Sequence, residues 1–224
     1  MNASELPAVA NFEEVKGYFS EIGISEDILI RAIRAGLRER DRVTKLHPVT
    51  AAGSRTWEEI IAEMRAGLLE LEDSNWNYSH EKGLSLTHNK DAAVTIVVSS
   101  GNKFTGIKEE QVKTKNAKGP STLNYVGRNY TLFDELDNTH TNIQNIIANP
   151  NQTWVLLYHV DITAKEVRYE LSLPKGMHEA DGKLKIDEWI KRVTFNPVPF
   201  SSPFDGLDKP DFSEEINFTD IAKE

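Results

Sequence analysis

In the first third of the chain the apolar residues recur every three or four positions. Phe12, Val15, Phe19 and Ile22 are spaced three, four and three, which gathers them on one face of a short helix that Gly23 ends. A second helix is predicted from Ser25, a good N-cap. Glu26 and Asp27 suit the positive end of its dipole, and Ile28, Leu29, Ala32, Ile33, Gly36 and Leu37 form its apolar stripe. His47-Pro48 and the Ala-Ala-Gly of residues 51–53 read as an exit loop. Thr56 with Glu59 then fits a capping box. Trp57, Ile60, Ile61, Met64, Leu68 and Leu71 repeat at helical spacing to about residue 72, in a helix expected to pack on a sheet.

From Trp76 the period changes to two, which predicts a hairpin with arms near 76–80 and 84–88 around Glu81-Lys82-Gly83. A buried strand over 92–100 follows. Residues 101–120, with three Gly, one Pro and five Lys, break the pattern and read as a flexible basic loop before a helix that starts near Ser121 and runs past Tyr130. Residues 137–150 read as a weak helix between loops. Residues 154–162 and 166–174 read as two strong strands around a turn at 163–165. Residues 175–183 are expected to form a loop, residues 186–195 an edge strand, and everything from Pro197 an irregular tail.

Helices first and strands later predict an α+β fold, with N-terminal helices packed on a mainly antiparallel sheet of about five to six strands. The expected organisation is an N-terminal helical segment (1–50), an α+β core domain (51–200) and an acidic, aromatic C-terminal tail (201–224).

Composition adds exclusions. The absence of cysteine removes disulfides, thiolate nucleophiles and Cys-based zinc or iron–sulfur sites. No run of about 18 apolar residues is present, and the first residues lack the basic and apolar regions of a signal peptide, so a cytoplasmic protein is expected. The net charge of −9 conceals two reversals. Residues 31–45 and residues 103–128 each carry +4, which leaves −17 on the remainder.

These two segments hold the main candidate residues. Arg31, Arg34, Arg38 and Arg42 stack on one helix face at spacings of three, four and four, suited to phosphate or carboxylate. In the loop, Lys103, Lys113, Lys115 and Lys118 lie close to Gly119 and Ser121, where ammonium groups, backbone N–H groups and a helix start can meet an anion together. The Gly-x-x-x-x-Gly-Lys-Ser/Thr order of a P-loop is absent. The competing reading of both segments is solvated surface. The helix–Gly–helix of residues 12–42 also resembles a helix-turn-helix, an arrangement common to many folds.

Other clusters are weaker. His80 and His88 face one another across the predicted hairpin without a third ligand, and His178, Glu179 and Asp181 read as a turn. His159 and Asp161 share a strand face and could serve a metal-independent hydrolase. In the tail, Phe204, Phe212 and Phe218 lie among acids, as in segments that order on docking to a partner or to their own domain. No catalytic residue, metal or cofactor is assigned. The resulting expectation is a non-enzymatic binding or accessory subunit acting through protein–protein contacts, within a protein partner or multi-subunit complex, with a local basic surface and no membrane association. The alternative is a nucleic-acid or nucleotide-phosphate binder using the same basic segments.

Overall fold

The structure is a computed structural model that describes residues 8–72, 74–130, 152–180 and 183–200. Within it a strand, β1 (Ala8–Asn11), leads directly into α1 (Phe12–Glu21), where the Asn11 side chain accepts from the Glu14 N–H as an N-cap. Helix α2 (Glu26–Asp41) starts at Ser25, whose hydroxyl caps the Ile28 N–H at 3.3 Å. Helix α3 runs from Ala51 to Leu69, five residues longer at its start than the capping-box reading predicts. Thr56 is buried inside it, and its hydroxyl donates to the Ala52 carbonyl at 2.6 Å, one turn back, rather than capping a terminus. Helices α2 and α3 approach closely because Gly36 has no side chain. A Cβ there would lie 2.6 Å from Ile60 Cγ1 and 2.8 Å from the Thr56 carbonyl oxygen.

The strands follow as β2 (Trp76–Glu81), β3 (Leu84–Asn89) and β4 (Val94–Ser100), then helix α4 (Pro120–Tyr130), then β5 (Gln152–Asp161), β6 (Glu166–Ala180), β7 (Lys183–Thr194) and β8 (Val198–Pro199). They form one sheet in the order β1-β7-β6-β5-β4-β3-β2, with β8 also on β6. The α+β class holds, but the described sheet has eight strands and is mixed. β4 runs parallel to β5 over Val94–Ser100, and β1 runs parallel to β7. The excursion that contains α4 returns the chain to the starting end of the sheet, so β5 repeats the direction of β4, which a two-residue hairpin cannot achieve.

Two further expectations are corrected. Residues 175–180 and 183–185 are strand rather than loop, because β6 and β7 stay paired out to Ala180↔Lys183 through bulges at Leu173, Pro174 and Gly176. Strand β7 is interior, with β6 on one side and β1 on the other. β1 is too short for its periodicity to reveal it.

Helices α1–α3 pack on one face of the sheet around Phe19, Ile33, Met64, Trp154, Leu156, Tyr169 and Val193, so residues 12–41 share their core with the strands. The other face carries α4 and residues 101–119, around Val112, Val126, Val155, Leu157, Ile186 and Trp189. Every residue from Gln152 to Tyr158 is buried, as expected for a strand covered on both faces. The tail residues Phe204, Phe212 and Phe218 and the weak helix of 137–150 lie outside the described residues.

The basic segment is therefore packed against the sheet, and a buried ion pair holds it. Glu170 and Arg192, with side chains 0 % and 1 % exposed, meet through two hydrogen bonds of 3.0 and 2.7 Å. The remaining guanidinium donors reach the carbonyls of Ile107, Lys108 and Glu110, so all five N–H groups are used. The carboxylate also accepts from Ser172 Oγ at 2.7 Å and from the Gly106 N–H at 2.8 Å. Gly106 has φ +77, and a Cβ there would lie 3.0 Å from Arg168 Cβ, so backbone conformation and space both require glycine.

Glu170→Ala leaves a buried, uncompensated guanidinium and is expected to cost about 3–5 kcal/mol in urea unfolding. Replacing both residues by Leu should not restore stability, because the carbonyls of residues 107–110 then lose their donors. Recovery to wild-type stability in the double variant would contradict this account of the loop.

Candidate functional site

Pairing between β3 and β4 lasts three residues and ends at Thr87↔Ile96, whereas β4 stays paired with β5 to Ser100. The β2–β3 hairpin thus parts from the sheet beside the carboxyl end of β4. The side left open is partly taken by the returning basic segment, here called the strap. Gly101 and Thr114 form an antiparallel bridge, Asn102 N–H donates to the Lys113 carbonyl, and Lys115 N–H donates to the Ser100 carbonyl at 2.9 Å. On its other side the strap is held by the outer arm of β6–β7. Thr114 N–H donates to the Ile186 carbonyl, Ile186 N–H to Thr114 Oγ1, and Lys118 N–H to the Leu184 carbonyl at 2.8 Å.

Between the strap, the hairpin and the ends of α2 and α3 lies a cleft of about 800 Å³. Its position outside the carboxyl ends of parallel strands, next to the first turn of α4, is where open α/β sheets commonly take ligands. Arg40, Lys115, Lys118 and His159 line it, with hydroxyls from Thr50, Ser54 and Ser99. Trp57 and Leu84 give apolar wall, and the Trp57 indole N–H donates to the Val98 carbonyl at 3.0 Å. None of the described lining residues is Asp or Glu, in a chain whose acids outnumber its Lys and Arg by nine.

Burial weakens the ionised forms of several of these groups. It lowers Arg40, which nonetheless stays protonated at any physiological pH. It lowers Lys118 to about 8, and the ammonium lies 2.6 Å from Ser99 Oγ. It also raises Tyr158, against the pull of Arg40. Burial, followed by the Arg168 charge, holds His159 below the ordinary imidazole value, so it is neutral at pH 7.

Of the residues singled out from the sequence, Lys115, Lys118 and Gly119 line the cleft. A Cβ on Gly119 would meet no atom within 4 Å, so the backbone there borders open space. Lys103 and Lys113 are exposed elsewhere on the strap and hold the fold through their carbonyls, Lys103 accepting from Arg168 at 2.8 Å and Lys113 from Asn102. Ser121 lies in the first turn of α4 outside the lining, where Thr122 contributes instead.

The arginine face stays away from the cleft. Arg31, Arg34 and Arg38 are exposed, Arg31 lying against Gly67 of α3, and Arg42 pairs with Glu39. The arginine that enters is Arg40. It follows Leu37 by three residues and so continues the buried stripe rather than the charged one, a signal that was present in the spacing.

One proposed pairing does not form: His80 lies opposite Ser85 and His88 opposite Asn77, so the histidines do not face each other. His159 and Asp161 feel each other's charge, but the hydrogen bonds of the Asp161 carboxylate go to the Ala164 N–H at 2.9 Å and to Arg168 at 3.1 Å. His178 Nδ1 donates at 2.9 Å to the Asp187 carboxylate on the neighbouring strand, so it belongs to a strand pair and not to a turn. Among the described residues no three His, Asp or Glu converge on a point that could hold a metal ion, and no helix is long and apolar enough to cross a membrane. In comparisons with known proteins, the chain matches no family model, no curated protein and no solved structure.

Lys118 has a measurable signature. With a value of about 8 folded against the ordinary 10.5, the folded state is penalised where the amine is protonated, and that penalty is relieved as pH rises from about 8 towards 10.5. The stability of Lys118→Met relative to wild type should therefore be greater at pH 7 than at pH 10 in denaturant unfolding. No difference, or the reverse order, would mean that the amine is not desolvated.

Proposed function

We propose that this chain is a binding protein for a phosphate-bearing small molecule of about nucleotide size, held in the cleft between the strap and the end of α2. The observation that carries this reading is the convergence of Arg40, Lys115 and Lys118 on one cleft in which no described lining residue is a carboxylate. Asp41 offsets part of the Arg40 charge, but no described residue facing the cleft is acidic, so an anion entering it meets cations and no carboxylate. A phosphate suits the set because Arg40 can donate two parallel hydrogen bonds while the lysines supply point charges. The apolar wall of Trp57, Leu84 and Val97 gives a ring or other apolar part of the ligand a surface to cover.

This reading develops the phosphate-binding alternative rather than the accessory-subunit one. Docking to a protein partner draws on the four-arginine face and the aromatic tail. The first points away from the cleft, and the second lies outside the described residues. A cytoplasmic setting, rich in phosphate esters, belongs to the same proposal.

Isothermal titration calorimetry with pyrophosphate and with ATP tests it. Binding is expected, with affinity falling as salt rises from about 50 to 200 mM, since the interaction is between partly exposed charges. Lys115→Ala, at an exposed position, combined with Arg40→Met should weaken binding at least tenfold, or about 1.4 kcal/mol. Absence of heat for both ligands at millimolar concentration, or unchanged affinity in the double variant, would overturn the assignment.

A further inference from the structure

Anion binding does not require one contact in this cleft. Ser99 is the penultimate residue of β4, 4 % exposed; its hydroxyl oxygen accepts from Lys118 Nζ at 2.6 Å, and its own proton reaches only a long 3.3 Å contact to the Ser100 carbonyl, which it can leave for the amine once that amine is unprotonated. The two are set in place from both sides, since the strap is tied to Ser100 through Lys115 N–H and to Leu184 through Lys118 N–H. Among the described residues Lys118 forms no ion pair, and none of those lining the cleft supplies it a carboxylate. A lysine serving only structure usually keeps its charge in water or pairs it. This one points its amine at a hydroxyl on the floor of a cleft.

We propose that Ser99 is a nucleophile with Lys118 as its general base, and that the cleft hydrolyses a carboxylic ester whose phosphate or carboxylate group is held by Arg40 and Lys115. This rests on the anion-binding reading for its substrate class and on the Ser99–Lys118 geometry for its chemistry. Serine is a weak nucleophile unless an adjacent base takes its proton, and a lysine amine serves when desolvation keeps a usable fraction unprotonated. At a value of about 8, roughly one Lys118 in ten is the free amine at pH 7.

The steps balance without an added reactant other than water. Lys118 Nζ accepts the Ser99 Oγ proton as Oγ bonds to the carbonyl carbon and the carbonyl π electrons move to oxygen. When the tetrahedral adduct collapses, the C–O bond to the alcohol breaks and the Lys118 ammonium returns the proton to that oxygen, leaving acyl-Ser99. A water molecule then gives its proton to Lys118 as its oxygen attacks the acyl carbon. The Ser99 Oγ–C bond breaks, Oγ takes the proton back, and a carboxylic acid leaves. The anion-binding groups and the reacting pair are thus different residues of one cleft, so the two roles can be tested apart.

The test is labelling of the full chain by a fluorophosphonate ester, followed by intact mass and peptide mapping. In that reaction Ser99 Oγ bonds to phosphorus, fluoride leaves and Lys118 takes the proton. One adduct on Ser99 is expected, with a rate that rises with pH through about 8. Ser99→Ala should carry no adduct, and Lys118→Met, which is expected to fold, should label at least about a hundredfold more slowly, the usual contribution of a general base. Lys118→Arg should not rescue it. No adduct on Ser99 in the folded wild-type chain, or equal rates in wild type and Lys118→Met, overturns the proposal. Excess pyrophosphate should slow the labelling by occupying the cleft. Labelling that pyrophosphate leaves unchanged overturns the assignment of Arg40 and Lys115 to the substrate anion while retaining the pair. Pyrophosphate binding by calorimetry without any labelling removes the pair and leaves the anion site.

Discussion

A carboxylate and a guanidinium, both withdrawn from water, lie beneath residues 106–110, and the course of the chain after β4 depends on them. Glu170 and Arg192 stand on adjacent strands, and every donor and acceptor they have toward the strap is used. Such a pair is costly to desolvate, and its geometry rather than its charge makes it tolerable. Its consequence is positional. It draws the backbone of residues 106–110 onto the sheet, so that Val112 reaches the second core and the Trp189 indole can donate to its carbonyl at 2.8 Å. From there the chain has to return along the end of β4, and the return brings Lys115 and Lys118 to the cleft.

The cleft itself arises from an interrupted sheet. Had β3 followed β4 to its end, Ser99 and Ser100 would be enclosed between neighbouring strands and the lysines would have no opening to line. The early end of the β3–β4 ladder leaves that space, the Trp57 indole satisfies one of the carbonyls exposed by it, and the strap satisfies another. Half-buried cations are a liability to stability, and Arg40 and Lys118 both show the effect of desolvation, Arg40 in spite of the pull of Asp41. Groups kept at such cost gather where chemistry or binding needs them.

The helices were legible from the sequence because their apolar stripes are long and regular, and Ser25 caps α2 as its side chain suggests. The start of α3 was not, since Thr56 satisfies the capping-box pattern equally well as a buried residue bonded one turn back. Parallel pairing of β4 and β5 has no local signature, because it depends on where the intervening fifty residues return the chain. The basic segment looked like a flexible loop for a related reason. Its buried residues, Thr105, Val112 and Thr114, are separated by Lys and Glu whose side chains reach solvent, and its anchors lie some sixty to eighty positions later in sequence. For the site, charge density singled out Lys115 and Lys118, which line the cleft, and equally Arg31, Arg34 and Arg38, which do not. It passed over Arg40, and it gave no hint of Ser99, which becomes notable only through its contact with Lys118.

A strap held as firmly as the sheet fixes the lysines of the cleft. Backbone amide hydrogen exchange under native conditions tests this most directly, at Gly106, Thr114, Lys115 and Lys118, whose N–H groups donate to Glu170, Ile186, Ser100 and Leu184. The account predicts that these four exchange only through global unfolding, with the same protection as the buried amides of β5. Exchange at rates close to those of an unprotected loop would mean that the strap is mobile, and that the cleft has no fixed cationic wall.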